Sequence, residues 1–184
     1  MKKIKIAGLL ILSALFVNAS FAQMEKTVMV GGAAMYPSKN IIENAVNSKD
    51  HTTLIAAVKA ADLVGTLSGM GPFTVFAPTN SAFDLLPAGT VETLLKAENK
   101  AILSGILTYH VVPGSLGSKE LMEMVKAGKG SAMLTTVAGG RLWLMKKGNK
   151  LTVKDEKGGV AVITLKDVYQ SNGVIQVIDK VLMP

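Results

Sequence analysis

The chain has 184 residues, 49% of them hydrophobic and 18% charged, with no cysteine and a formal net charge of +7. Without cysteine, disulfide, zinc–thiolate and iron–sulfur chemistry are excluded together, and a packed core must supply all the stability. Arg141 is the only arginine and aromatic residues make up 5%, so the bidentate and stacking contacts that nucleic-acid binding favours have little to draw on, and no nucleic-acid partner is expected.

The first segment reads as a leader. Lys2, Lys3 and Lys5 form a basic start, residues 6–17 an apolar core, and Ser20 and Ala22 the small residues of a cleavage site. Residues 1–22 are therefore expected to be a signal peptide, cleaved before Gln23. The apolar core is short against the ~20 residues of a membrane span, although an uncleaved anchor is the alternative. No cysteine stands at the cleavage site, so a lipid anchor there is not expected. Three of the twenty basic residues and none of the thirteen acids lie in this leader, which lowers the charge of the remainder from +7 to +4. The remainder is long enough for one domain and has no further stretch that would span a bilayer.

Residues 23–37 read as an extended arm. Ser38 can cap a helix with Ile41, Ile42, Ala45 and Val46 on one side, and Leu54, Ile55, Val58 and Ala61 mark a second amphipathic helix. Residues 73–77 carry no charge and are rich in β-formers, as a buried strand would be. Pro78 ends that strand, and Thr79 or Asn80 can cap a short helix over 81–86. Thr90 is the expected cap of a helix over 91–97, and a further helix over 99–107 leads into a strand around His110 that Pro113 and Gly114 close. Ser118 caps a segment with Leu121, Met122 and Val125 inward, and Gly128 stops it.

From Ser131 the period changes. Residues 134–137, 141–145, 151–154, 160–165 and 174–178 read as strands, and Gly139-Gly140, Gly148-Asn149 and Gly158-Gly159 as the turns between them. Helices first and a strand meander afterwards argue for an α+β fold rather than a doubly wound parallel sheet.

Three blocks carry a family resemblance: residues 71–83, the Tyr109-His110 pair with its Val-Val-Pro-Gly sequel, and residues 171–179. Together they resemble the fasciclin (FAS1) domain, and the resemblance runs over 38–184. Within it Thr74, Phe76, Ala77, Pro78, Thr79, Asn80, Phe83, Asn172 and Gly173 hold the family's signature positions. The resemblance implies a β-wedge or sandwich with several helices along one edge, and a role in adhesion.

His110 is the residue whose chemistry needs deciding. Histidine serves as acid, base or metal ligand, but a metal needs several ligands, and the only other histidine, His51, lies in a polar stretch far away in sequence. The structural reading is a buried ring bonded near Thr79 or Asn80. The family ties the Tyr109-His110 pair to fold integrity and, in animal members, to adhesion. Asp167-Val168 occupies the place of an Asp-Ile motif read by integrins in some animal domains, with valine for isoleucine here; the plain alternative is a strand end with one exposed acid. Gln176 stands where many members have histidine.

No Gly-x-Ser-x-Gly elbow, Walker loop, dinucleotide-binding glycine set or cysteine nucleophile is present. Asp155-Glu156 sit between lysines in a Gly-rich tip, as in a solvated turn. Met122 and Met124 fall on different helix faces, one core and one surface. Trp143 and Met145 alternate with Leu142 and Leu144, so one pair faces outward or against a helix, and an outward Trp143–Met145 pair would form a small adhesive patch. The expectation is an exported, secreted or periplasmic binding module without cofactor, recognising a surface protein or glycan near Tyr109, His110, Asp167 and Val168. The alternative is a carrier of a small apolar ligand, which requires an enclosed pocket on the order of several hundred Å3.

Overall fold

The structure, a computed structural model, describes residues 26–184; the expected leader over 1–22 lies outside them. The segment expected as an arm contains a hairpin, β1 (Val28–Val30) and β2 (Ala33–Met35), turned at Gly31-Gly32. Both glycines adopt positive φ, as a tight reversal requires. Val30 and Met35 are buried, so these residues belong to the core rather than to an arm.

Helix α1 (Ile41–Ala45) is capped by Asn40 rather than Ser38: the Asn40 side chain accepts from the Glu43 N–H, and Glu43 returns the bond to the Asn40 N–H. Val46 lies beyond it and is exposed. Helix α2 (Thr52–Ala60) buries Leu54, Ala57 and Val58, and α3 (Val64–Ser68) follows as a short helix that the sequence does not announce. Strand β3 (Phe73–Pro78) runs into α4 (Asn80–Phe83), whose cap is Thr79, accepting from the Ala82 N–H. Next come α5 (Thr90–Leu94) and α6 (Lys100–Tyr109). His110 closes α6 in helical geometry, so the strand expected around it begins only at Val111, as β4 (Val111–Pro113). Helix α7 (Ser118–Ala127) buries Leu121 and Val125, with Met122 and Met124 both half-buried rather than split between core and surface.

The remaining strands are β5 (Ser131–Thr135), β6 (Arg141–Lys147), β7 (Lys150–Lys154), β8 (Val160–Gln170) and β9 (Gly173–Ile178). They form one seven-stranded sheet with β3 and β4, in the order β4-β3-β9-β8-β7-β6-β5. Only the β3–β9 pair is parallel. The sheet curls until its two ends meet, where the Val137 N–H donates to the Val111 carbonyl at 2.8 Å.

Curling divides the core in two. Val75, Ala77, Ile175 and Val177 face a cluster built with the hairpin and α1, α2, α3 and α6. On the opposite face of the same two strands, Phe76 and Ile178 join Leu121, Leu142, Leu144 and Val153 in a second cluster, inside the curl. Strands β3 and β9 are thus covered on both sides, which is why they read as continuous apolar runs.

Candidate functional site

Tyr109 and His110 stand where α6 passes into β4, between the two halves of the core. Tyr109 is fully buried, and its hydroxyl donates to the Arg141 carbonyl (2.7 Å) and accepts from the Glu156 N–H (3.0 Å). It thereby ties the start of β6 to the turn after β7. Burial holds its phenol above the usual pKa.

His110 is equally enclosed. Its Nδ1 pairs with the Ile106 carbonyl at 2.8 Å, so that nitrogen carries the proton, and Nε2 accepts from the Leu182 N–H at 2.9 Å. The expected partners Thr79 and Asn80 are not its partners. Thr79 caps α4, while Asn80 Oδ1 accepts from the Thr53 N–H and Asn80 Nδ2 donates to the Lys49 carbonyl. Burial pushes the His110 pKa down to about 4, because an imidazolium here would lose its water and its bond to Leu182.

The turn containing Asp155 and Glu156 is only half solvated. Asp155 is buried; its carboxylate accepts from the Gly159 N–H (2.6 Å) and the Met183 N–H (3.0 Å). His110 and Asp155 therefore hold consecutive amides of the C-terminal tail. An Asp four residues before a Gly in a turn is the sequence signal for the first of these bonds; nothing local announces the second.

Asp167 lies in an irregular stretch of β8, with φ at +63°. Its carboxylate accepts from both the amide and the hydroxyl of Ser118, at 2.5 Å each, and so caps α7 from another element. The Asp167 N–H donates to Gln176 Oε1, and Gln176 Nε2 donates to the Leu116 carbonyl. Gln176 is fully buried. The glutamine that departs from the family pattern is thus a neutral joint between β8, β9 and the entry to α7. Val168 is buried in the first core cluster.

These placements correct the expected recognition surface. Tyr109, His110 and Val168 turn their side chains inward, and the Asp167 carboxylate is spent on Ser118, so the four do not form an exposed edge for a partner. Tyr109 and His110 lie on the β4 side of the sheet and Asp167 at the β8 irregularity, each as a tie between elements.

The signature residues also act as ties. Thr74 Oγ1 donates to the Gly114 carbonyl (2.6 Å) and accepts from the Leu116 N–H (2.8 Å). Asn172 accepts from the Ile41 N–H and donates to the Leu67 and Gly69 carbonyls. Gly173 lies against β3, where a Cβ would collide with the Phe73 backbone. Phe76, Ala77 and Pro78 are buried along β3, and Phe83 packs against the first cluster.

His51 is buried rather than set in an exposed polar turn. Its Nδ1 pairs with Ser48 Oγ at 2.9 Å, while the buried Nε2 has no hydrogen-bond partner. Desolvation lowers its pKa, and Asp50 offsets part of that shift. His51 and His110 both border an enclosed apolar cavity, whose free space is about 40 Å3. That is room for a water or two, far below the several hundred Å3 that a carrier requires. Among the described residues no group of three His, Cys, Asp or Glu is placed to hold a metal ion, and no helix is long and apolar enough to cross a membrane.

Known proteins resemble this chain over nearly all of its described length. The family model for the fasciclin domain matches residues 49–184. Protein sll1483 of Synechocystis is 46% identical over 90% of this chain and 85% of its own, and the immunogenic protein MPB70 of Mycobacterium bovis 37% identical over 76% and 66%. Human periostin is 31% identical, over 78% of this chain and 16% of its own length. Among solved structures, the FAS1 domain pair of the insect cell adhesion molecule fasciclin I matches with a TM-score of 0.71 at 16% identity, over 88% of this chain and 59% of that one. That likeness places the same α+β wedge in both. The chain belongs to the fasciclin domain family.

Proposed function

We propose that the chain is an exported, non-catalytic module for adhesion or cell-surface association, working as one rigid fasciclin domain. The observation that carries this reading is where the polar chemistry goes: the buried groups of the signature positions, Tyr109, His110, Asp155 and Asp167 bond to backbone groups of other elements. A catalytic set would instead converge on a cleft. The interior leaves no space for a carried ligand. The insect cell adhesion molecule fasciclin I shares the fold and the cell surface glycolipoprotein MPB83 is similar in sequence, and the leader expected over 1–22 supplies the route out of the cytoplasm.

Tyr109, His110, Asp167 and Val168 then serve recognition at one remove, by fixing the frame on which the outer surface sits. The test is binding of the purified chain, without residues 1–22, to intact cells, against an unrelated exported protein of equal charge. Saturable binding in excess of that control is expected. Binding no greater than the control would overturn the reading.

A further inference from the structure

The outer face of β5–β7 lies on the side of the sheet away from α7, which packs inside the curl through Leu121 and Val125. The register sets out what it displays. Met133 pairs with Trp143 and Trp143 with Lys154; Ser131 pairs with Met145, Thr135 with Arg141, and Lys147 with Lys150. Met133 is 56% exposed, and Trp143 and Met145 are half-buried. Four cations, Arg141, Lys147, Lys150 and Lys154, stand on this face around the apolar centre. No carboxylate occupies an outward position on the three strands, and none of the four cations is ion-paired; among the described residues the one ion pair is Lys100–Asp62, elsewhere. Beside Trp143 runs an open groove of about 360 Å3, walled by Ser131, Met145 and the 154–158 turn. That turn brings Lys154 and Lys157 to it together with Asp155, whose carboxylate is taken up by the Gly159 and Met183 amides, and Glu156, whose carboxylate accepts from the Arg141 N–H.

We infer that this face binds an acidic polysaccharide, a polyuronate, with a sugar ring stacked on Trp143 and uronate carboxylates paired with Lys154 and Arg141. The inference rests on the surface-module reading and names its face and partner. Charge complementarity gives the sign of the partner: a surplus of unpaired cations on an apolar centre calls for an anion that also carries C–H surface. The electron-rich face of an indole attracts the polarised C–H bonds of a sugar ring. A bilayer fits less well, because Trp143 is half-buried within a pleated surface and does not stand out to be inserted. The spread of cations along β6 and β7 suits a repeating chain of carboxylates, each contact adding to the next.

Tyr109 supports the groove from beneath. Its hydroxyl bonds to the Arg141 carbonyl and to the Glu156 N–H, fixing the strand that carries Trp143 relative to the turn that walls the groove. This couples the buried family pair to an exposed surface.

The experiment is titration of the purified chain with alginate, a polyuronate, beside neutral dextran, polyglutamate and anionic phosphatidylglycerol vesicles, at low and high salt. Alginate binding is expected, weakened about tenfold or more by added salt as its ionic part is screened, with dextran inert and polyglutamate at least about tenfold weaker, for want of stacking. Trp143→Ala and the double variant Arg141→Gln/Lys154→Gln are each expected to lose alginate affinity by about tenfold while melting as the parent does, since these side chains lie outside the core. The double variant keeps the test open should Trp143→Ala fail to fold. Equal binding of alginate and polyglutamate would reduce the face to a charge patch and overturn the inference, as would vesicle binding stronger than alginate binding or variants that bind as the parent does. Cell binding that persists while alginate binding is absent would overturn this inference and leave the surface-module reading standing; loss of both would overturn the two together.

Discussion

At the scale of single residues, the polar groups that the sequence makes conspicuous are joints. Tyr109 shows this most directly, because one hydroxyl serves two backbone groups on different segments. Removing it in Tyr109→Phe leaves the Arg141 carbonyl and the Glu156 amide to whatever water can reach them, at a cost of about 1–2 kcal/mol. Tyr109→Ala adds a cavity inside the curl and costs about 3–5 kcal/mol. Urea unfolding of the two variants checks both, and the ordering matters more than either value: a phenylalanine variant as unstable as the alanine one would mean that the hydroxyl, not the ring, carries the site. Position 110 shows what could not be read in advance. The apolar company of His110 in sequence marked it as buried, but its partners, Ile106 and the Leu182 amide, depend on a tail that returns only after the whole sheet has formed. Asp155 looked solvated for the same reason, since its distant partner is Met183.

At the scale of elements, short-range signals located the strands and most helices, and failed where the stabilising partner was remote. Residues 73–77 were legible as a strand because both of its faces are covered and no charge interrupts it. The hairpin over residues 28–35 was not, because its glycines and methionines carry no clear period and its burial comes from a core assembled later in the chain. Deleting residues 26–36 exposes the surface that Val30 and Met35 cover and is expected to cost about 3–6 kcal/mol by the usual value of burying such side chains. A truncated chain that unfolds at the same urea concentration as the parent would show the hairpin to be an accessory. Helix α7 offers a second case. Its N-terminus takes its cap from Asp167 on β8 rather than from a residue of its own, and Ser118, expected as the cap, is the residue being capped. Asp167→Asn keeps a side chain that tolerates positive φ but removes the charge, so about 1–2 kcal/mol should be lost. Amide hydrogen exchange should locate the loss at the first turn of α7; faster exchange spread evenly over the sheet would contradict the cap.

At the scale of the whole molecule, two neutral histidines enclosed in one chain make stability depend on pH in a direction that can be worked out. In the unfolded chain His110 takes up a proton near pH 6.5, whereas in the folded protein it resists until about pH 4. Above pH 6.5 both states are neutral and the full stability is present. As pH falls below 6.5 the unfolded state binds protons that the folded state refuses, so stability declines by up to ~1.4 kcal/mol per pH unit until His110 itself titrates near 4. His51, also held below its ordinary value by burial, acts in the same sense, and the neighbouring Asp50 reduces its share. The consequence spreads beyond the ring: protonating His110 breaks the acceptor of the Leu182 amide, so the tail pinned across the curl should loosen before the sheet does. Urea unfolding between pH 7.5 and 4.5 is expected to show a plateau above about pH 6.5 and a progressive loss below it in the parent. In His110→Gln the starting stability should be lower and the loss over the same interval smaller, because one of the two responsible groups has gone. Parallel profiles for parent and variant would mean that the acid sensitivity lies elsewhere, and that the tie between α6 and the C-terminal tail does not control how the domain opens.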